Sequence, residues 1–115
     1  GNIEFYDRLH FSIGQLNLPD NMKFSLPDPA SNTILLEWDN YDTKLPTNPT
    51  DRLRIIAIHN EELEIIHRLT AFLKDKSSTF TVPWENWKSL HLYAYFYDEY
   101  YFTSTPTYYQ NLSGH

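Results

Sequence analysis

The fold is decided by one stretch of the chain, Leu90-His91-Leu92-Tyr93-Ala94-Tyr95-Phe96-Tyr97. Its even positions are all apolar and its odd positions are a histidine and three tyrosines, which is the two-residue period of a β-strand. A strand with an apolar row on one face needs paired neighbours and a second apolar layer over that row. The stretch therefore predicts an all-β domain built from two packed sheets.

Shorter stretches of the same kind predict strands elsewhere in the chain, separated by turns rich in proline, asparagine and aspartate. These strands are 9–13 at an edge, 22–26, 32–39, 52–60, 63–69, 79–82 and 100–105. Segment 63–76 also fits a helical period, so a helix remains an alternative there. Pro106 is expected to end the last pairing, and the chain from about residue 107 is expected to be a frayed tail.

These strands predict a β-sandwich of about seven strands in two antiparallel sheets, forming a single domain over residues 1–115. Trp84 and Trp87 lie at the corner before residue 90 and are predicted to close the end of the core. The predicted core consists of Ile34, Leu36, Trp38, Leu53, Ile55, Ala57, Phe80, Val82, Leu90, Leu92, Ala94 and Phe96.

Composition excludes several classes of function. The net charge of -6 opposes binding to phosphate backbones, so nucleic acid is not expected as a partner. The 115 residues contain no cysteine, which rules out disulfides and thiolate chemistry. No apolar run is long enough for a membrane helix and the first residues do not resemble a signal peptide, so a soluble chain is predicted.

The aromatic content of 17%, with nine tyrosines, is more than one core layer needs. A row of tyrosines on an exposed sheet can anchor a protein or stack against sugar rings. The candidate binding residues are therefore Tyr93, Tyr95, Tyr97 and His91, with Arg52 and Arg54 on the strand expected to lie opposite. The alternative is cross-strand packing, in which Arg52, Arg54, Ile56 and Ile58 face this row and arginine contacts tyrosine through cation-π attraction.

No catalytic signature is present. The chain lacks a nucleophile elbow, a P-loop, a dinucleotide fingerprint and a zinc-protease motif. Four histidines, at positions 10, 59, 67 and 91, are not spaced as metal ligands within one element. The prediction is a protein that is not an enzyme and carries no cofactor or metal.

Several landmarks resemble a fibronectin type III-like sandwich, and more specifically the C-terminal half of a Bacteroidetes protein family of unknown function. They are Leu9-His10-Phe11-Ser12, Leu36-Glu37-Trp38-Asp39-Asn40, Asp51-Arg52, His59-Asn60-Glu61-Glu62, Phe80-Thr81-Val82-Pro83, Trp87 and His91-Leu92-Tyr93-Ala94-Tyr95-Phe96. The resemblance covers roughly residues 8–105 and implies a β-sandwich of bacterial origin. Proteins of that family usually carry an additional N-terminal half, and their turn after the position of Tyr97 is longer and contains a glycine.

The sequence thus predicts a non-catalytic structural or protein-interaction module that presents an aromatic-rich sheet face. Its expected partner is another protein or a second copy of the chain. The alternative is a carbohydrate-binding module that uses the surface tyrosines.

Overall fold

In the part of the chain that the structure describes, seven β-strands form two antiparallel sheets. The structure, a computed structural model, describes residues 5–11, 14, 16–44, 47–98 and 103–114, with the backbone alone at 67–70. The strands are β1 (Lys23–Ser25), β2 (Thr33–Glu37), β3 (Arg52–His59), β4 (Glu62–Phe72), β5 (Ser77–Thr81), β6 (Ser89–Tyr97) and β7 (Tyr108–Ser113), with a 3-10 turn at Leu73–Asp75. One sheet has the order β1-β2-β5 and the other β4-β3-β6-β7. The predicted all-β sandwich is confirmed.

The inner core lies between the two sheets. All twelve predicted core residues belong to it, because the strands alternate as the sequence indicates and turn these positions inward. Trp38 and Val82 continue the alternation directly after the ends of β2 and β5. Phe24, Ala71, Leu73, Trp87 and Leu112 complete the cluster. Burial of this many apolar side chains is the main stabilising contribution in a domain of this size.

Trp87 closes one end of the inner core, as predicted. Its ring is 1% exposed, and its indole Nε1 donates to Asn32 Oδ1 at 2.6 Å. Gly114 packs directly on this ring, since a Cβ at that position would lie 2.2 Å from a Trp87 carbon. Trp84 is only half-buried against the core and donates from Nε1 to Glu62 Oε2 at 2.7 Å.

Residues 63–72 belong to strand β4, so the α-helix considered for segment 63–76 is not formed. Residues 62–68 pair in continuous antiparallel register with 53–59, from Leu53↔Arg68 to His59↔Glu62. The register jumps between Leu53 and Arg52, which pairs with Phe72. Helical spacing appears only in the short turn that follows, so strand pairing along β3 prevails over local helical preference.

The last strand, predicted at 100–105, is not formed over residues 103–105, and the predicted frayed tail is wrong, because residues 108–113 form a strand. Tyr100–Phe102 lie outside the described residues, and Ser104 makes only an isolated bridge to Tyr97. Pro106 has no amide hydrogen to donate to a neighbouring strand, which interrupts the pairing at this position. Regular pairing begins again beyond it, in β7. There Gln110 accepts from the Phe24 amide at 2.8 Å and donates to the Phe24 carbonyl at 2.9 Å, which ties β7 to β1 of the opposite sheet.

The predicted edge strand at 9–13 is not formed over Leu9–Phe11, and residues 12 and 13 lie outside the described part of the chain. Residues 5–9 instead make a turn, with the amides of Arg8 and Leu9 donating to the carbonyls of Phe5 and Tyr6. The side chains of Tyr6, Leu9 and Phe11 pack on the four-stranded sheet, so the segment covers that sheet and does not extend it. The short strand predicted at 22–26 is confirmed as β1 and occupies the edge of the other sheet.

Among the residues described, no helix is long and apolar enough to cross a membrane.

Candidate functional site

The outer face of the four-stranded sheet carries a second apolar layer. Its buried members are Ile56, Ile58, Tyr93 and Tyr95, with Tyr93 completely inaccessible and Tyr95 7% exposed. Five half-buried side chains pack against them, namely Tyr6, Leu9, Phe11, Tyr97 and Tyr109. We call these nine residues the outer layer. It explains the aromatic surplus, because the sheet between the two layers is apolar on both faces.

Tyr93 lies at the centre of the outer layer. The Phe11 ring meets it edge-on, with ring centroids 4.9 Å apart. The Tyr93 hydroxyl donates to the Tyr6 carbonyl at 2.9 Å, so its one polar group is satisfied within the protein. Burial raises the pKa of Tyr93, and the neighbouring Tyr109, Tyr6 and Asp7 add to the rise. Tyr93 and Tyr95 therefore do not form the exposed binding platform that the sequence suggests.

The cross-strand packing alternative is confirmed. Register pairs join Tyr97 to Arg52, Tyr95 to Arg54, Tyr93 to Ile56 and His91 to Ile58. Arg54 donates from Nη1 to the Tyr95 hydroxyl at 2.9 Å, and its guanidinium carbon lies 4.8 Å from the Tyr97 ring centroid. A guanidinium over an aromatic ring is attracted by the ring quadrupole, so Arg54 is held against the outer-layer residues Tyr95 and Tyr97.

Arg52 and Tyr97 lie beside a separate recess of about 350 Å³, which Asp51, Phe72 and Asp98 also line. The Asp51 side chain is 2% exposed, and Oδ2 accepts from the Asn48 amide at 3.1 Å. Burial raises the pKa of the Asp51 carboxyl; the Asn48 hydrogen bond opposes the rise, and the charge of Asp98 adds to it. The described residues that line the recess therefore include one basic residue, Arg52, and two acidic residues, Asp51 and Asp98, of which Asp51 is buried.

His91 lines a larger recess of about 620 Å³ at the other end of the sheet. Its walls come from residues 5–6, the β3–β4 turn, and the paired ends of β6 and β7. We call it the His91 recess, and it is lined by Phe5, Tyr6, Ile58, Asn60, Glu61, Ser89, His91 and Asn111. A volume of several hundred Å³ is in the range of small-ligand sites.

The His91 ring is held on several sides. Tyr6 stacks on it at 3.9 Å between centroids, and the Tyr109 hydroxyl lies 2.8 Å from Nδ1. Asn111 Nδ2 is 3.4 Å from the same nitrogen, and an amide nitrogen can only donate. Nδ1 therefore acts as the acceptor, and the proton of the neutral ring resides on Nε2. Desolvation lowers the pKa of His91, which favours this neutral form.

Exposed apolar side chains mark a third surface, along β4. Leu63 and Ile65 are 48% and 47% exposed and lie on the same strand face, opposite Ile58 and Ile56 in register. β4 is eleven residues long and pairs only with β3 among the described strands, so its other edge is open. Phe5, at 60%, is the third large apolar side chain exposed within the described ranges.

The sequence places His91 and the tyrosines on the correct face but misses the partners that reach them from other segments. Asn60 is predicted as the last residue of a strand and Glu61 lies between two predicted strands, and neither is predicted to have a role in a site. Phe5 and Tyr6 precede any strand, and their aromatic character is the one signal that could have assigned them to a buried or binding surface. Among the described residues, no group of three or more histidine, aspartate and glutamate side chains could hold a metal ion.

Comparisons with protein-family models, with curated proteins and with solved structures find no match to this chain.

Proposed function

We propose that the protein is a non-catalytic interaction module whose contact surface is the open edge of β4 together with Leu63 and Ile65. The observation that carries this proposal is the exposure of two aliphatic side chains on a long edge strand. Edge strands in monomeric proteins are usually short, charged or covered, because an open edge is a template for another strand. An edge that keeps apolar side chains exposed is suited to receive one.

The partner that fits this surface is an extended segment of another protein that adds to the sheet as a further strand. Main-chain hydrogen bonds along β4 would supply affinity, and Leu63 and Ile65 would select apolar side chains. Glu62 and Glu64 alternate with them and are exposed, so basic side chains on the partner would be favoured. A second copy fits less well, since each copy carries a net charge of -6.

The proposed origin is a fibronectin type III-like module of a Bacteroidetes protein. The division of seven strands into sheets of three and four supports the fibronectin type III-like part of this proposal. The bacterial origin depends on the sequence landmarks alone. The alternative, sugar binding by the tyrosine row, is not favoured, because Tyr93 and Tyr95 are buried.

The proposal is tested by selecting binders from a library of random linear peptides displayed on phage. We expect selected peptides to alternate apolar residues with lysine or arginine and to shift the backbone amide signals of residues 62–66. The double variant Leu63→Lys/Ile65→Lys should weaken their binding at least about tenfold, since it removes apolar contact and repels basic side chains.

The matched control is Ser77→Lys/Thr81→Lys, which adds the same charge to exposed positions of β5, an edge strand of the other sheet. It should leave peptide affinity unchanged. Peptides that bind the Leu63→Lys/Ile65→Lys variant as well as the parent protein would refute the assignment of β4.

A further inference from the structure

We propose that the His91 recess is a binding site for a neutral saccharide, distinct from the β4 surface. The recess combines an exposed aromatic corner with several groups that form no hydrogen bond with any residue in the described part of the chain. Sugars present the matching chemistry, with apolar C–H faces and rings of hydroxyl groups. The site does not involve the buried tyrosine row.

The aromatic corner is formed by Phe5 and Tyr6. Their rings are nearly perpendicular, at 77° with centroids 5.2 Å apart. Tyr6 is fixed because one face of its ring stacks on His91. Phe5 lines the recess and remains 60% exposed, an unfavourable state for a phenyl ring that a packed ligand would relieve. An aromatic wall of this kind suits the C–H face of a pyranose ring.

The polar groups of the recess are available for a ligand. No described residue forms a hydrogen bond with the side chains of Asn60, Glu61 or Ser89, or with His91 Nε2. Glu61 offers acceptors, His91 Nε2–H offers a donor, and Asn60 offers both. Sugar hydroxyls donate and accept at once, so this mixture can satisfy two neighbouring hydroxyl groups.

Glu61 occupies a position that disfavours glutamate. Asn60 and Glu61 form the two-residue turn of the β3–β4 hairpin, with φ of 46° and 69°. Turns with positive φ at both residues strongly prefer Asn-Gly, since a left-handed conformation is unfavourable for a residue with a side chain. Strained residues of this kind concentrate at functional sites. Glu61 therefore lines the recess at the expense of hairpin stability.

The charges in the recess select the ligand class. Glu61 is the one carboxylate among the described residues that line the recess, and His91 is neutral, so an acidic sugar or a phosphate would be repelled. A volume of about 620 Å³ is large enough for a mono- or disaccharide unit. A neutral hexose-type unit, stacked on Phe5 and hydrogen-bonded to Glu61 and His91, meets all of these conditions.

The test is a titration of the full chain, followed by two-dimensional amide NMR. The probes are the methyl glycosides of glucose, galactose, mannose and N-acetylglucosamine, with maltose and cellobiose, each added to millimolar excess. We expect at least one probe to give saturable shifts centred on residues 60, 61, 91 and 111. No saturable shift at these residues with any of the six probes would overturn the proposal.

Two variants of one residue sharpen the test. Glu61→Gly should lower the affinity at least tenfold while raising the midpoint of thermal unfolding, because glycine relieves the turn. Glu61→Gln, which keeps the side-chain size, should also weaken binding.

The matched control is Glu64→Gln, an exposed carboxylate on β4 outside the recess, which should leave affinity unchanged. The Leu63→Lys/Ile65→Lys variant should likewise retain sugar binding, so the two proposals fail independently. Unchanged affinity in Glu61→Gly would refute the site.

Discussion

The orientation and the lowered pKa of His91 depend on residues that are far from it in the sequence. Strand alternation predicts that its side chain lies on the outer face of β6, and the structure confirms that placement. Alternation carries no information about the covering segment, so the stacked Tyr6 ring could not be predicted. The same limit applies to Tyr93, whose face is correctly predicted but whose complete burial depends on Phe11 and Tyr6.

The lowered pKa of His91 predicts a pH-dependent stability. Desolvation favours the neutral ring in the folded protein, whereas the unfolded chain binds a proton near the ordinary value of 6.5. The unfolded state therefore binds more protons as the pH falls below about 6.5, and stability decreases. Free energies of unfolding from urea titrations at about pH 8 and about pH 5 should show a larger loss for the parent protein than for His91→Gln. The other histidines are common to both proteins, so an equal loss in the two would contradict this account.

The N-terminal segment and β7 are the elements that the sequence predicts least well. Both owe their positions to long-range contacts, since residues 5–11 follow the surface of the outer layer and β7 resumes pairing only after Pro106. Within β7, Leu112 enters the inner core and Gln110 bonds the backbone of Phe24. The central strands β3 and β6 are predicted well, because an uninterrupted two-residue period determines both of their faces.

Phe5 and Phe11 belong to the same N-terminal segment, but only Phe11 packs against the four-stranded sheet. Phe11 is half-buried against the buried residues of the outer layer, whereas Phe5 is 60% exposed. We expect Phe11→Ala to lower the free energy of unfolding by roughly 1–3 kcal/mol, below the ~3–5 kcal/mol of a fully buried phenylalanine. Phe5→Ala, the matched control, should change it by less than about 0.5 kcal/mol. Chemical denaturation monitored by circular dichroism measures both, and equal effects of the two substitutions would count against the covering role of residues 5–11.

On the scale of the whole molecule, the four-stranded sheet is a shared wall between two apolar layers. The inner layer joins it to the three-stranded sheet. In the outer layer, the buried side chains of β3 and β6 are covered by Tyr6, Leu9 and Phe11 of the chain's own N-terminal segment. The composition shows more aromatic residues than one core needs. It cannot show whether the additional aromatic side chains form an exposed binding surface or are covered by another segment of the same chain. The accessible candidate surfaces are then the β4 edge and the His91 recess.

The central claim is that the chain's own N-terminal segment covers the tyrosine-bearing face of the four-stranded sheet. Nuclear Overhauser contacts between aromatic side chains test it most directly. The account predicts cross-peaks between the rings of Phe11 and Tyr93, whose centroids are 4.9 Å apart, and between those of Tyr6 and His91, at 3.9 Å. Absence of both sets of cross-peaks in a spectrum that shows the inner-core contact of Trp38 with Phe96, at 5.1 Å, would contradict it.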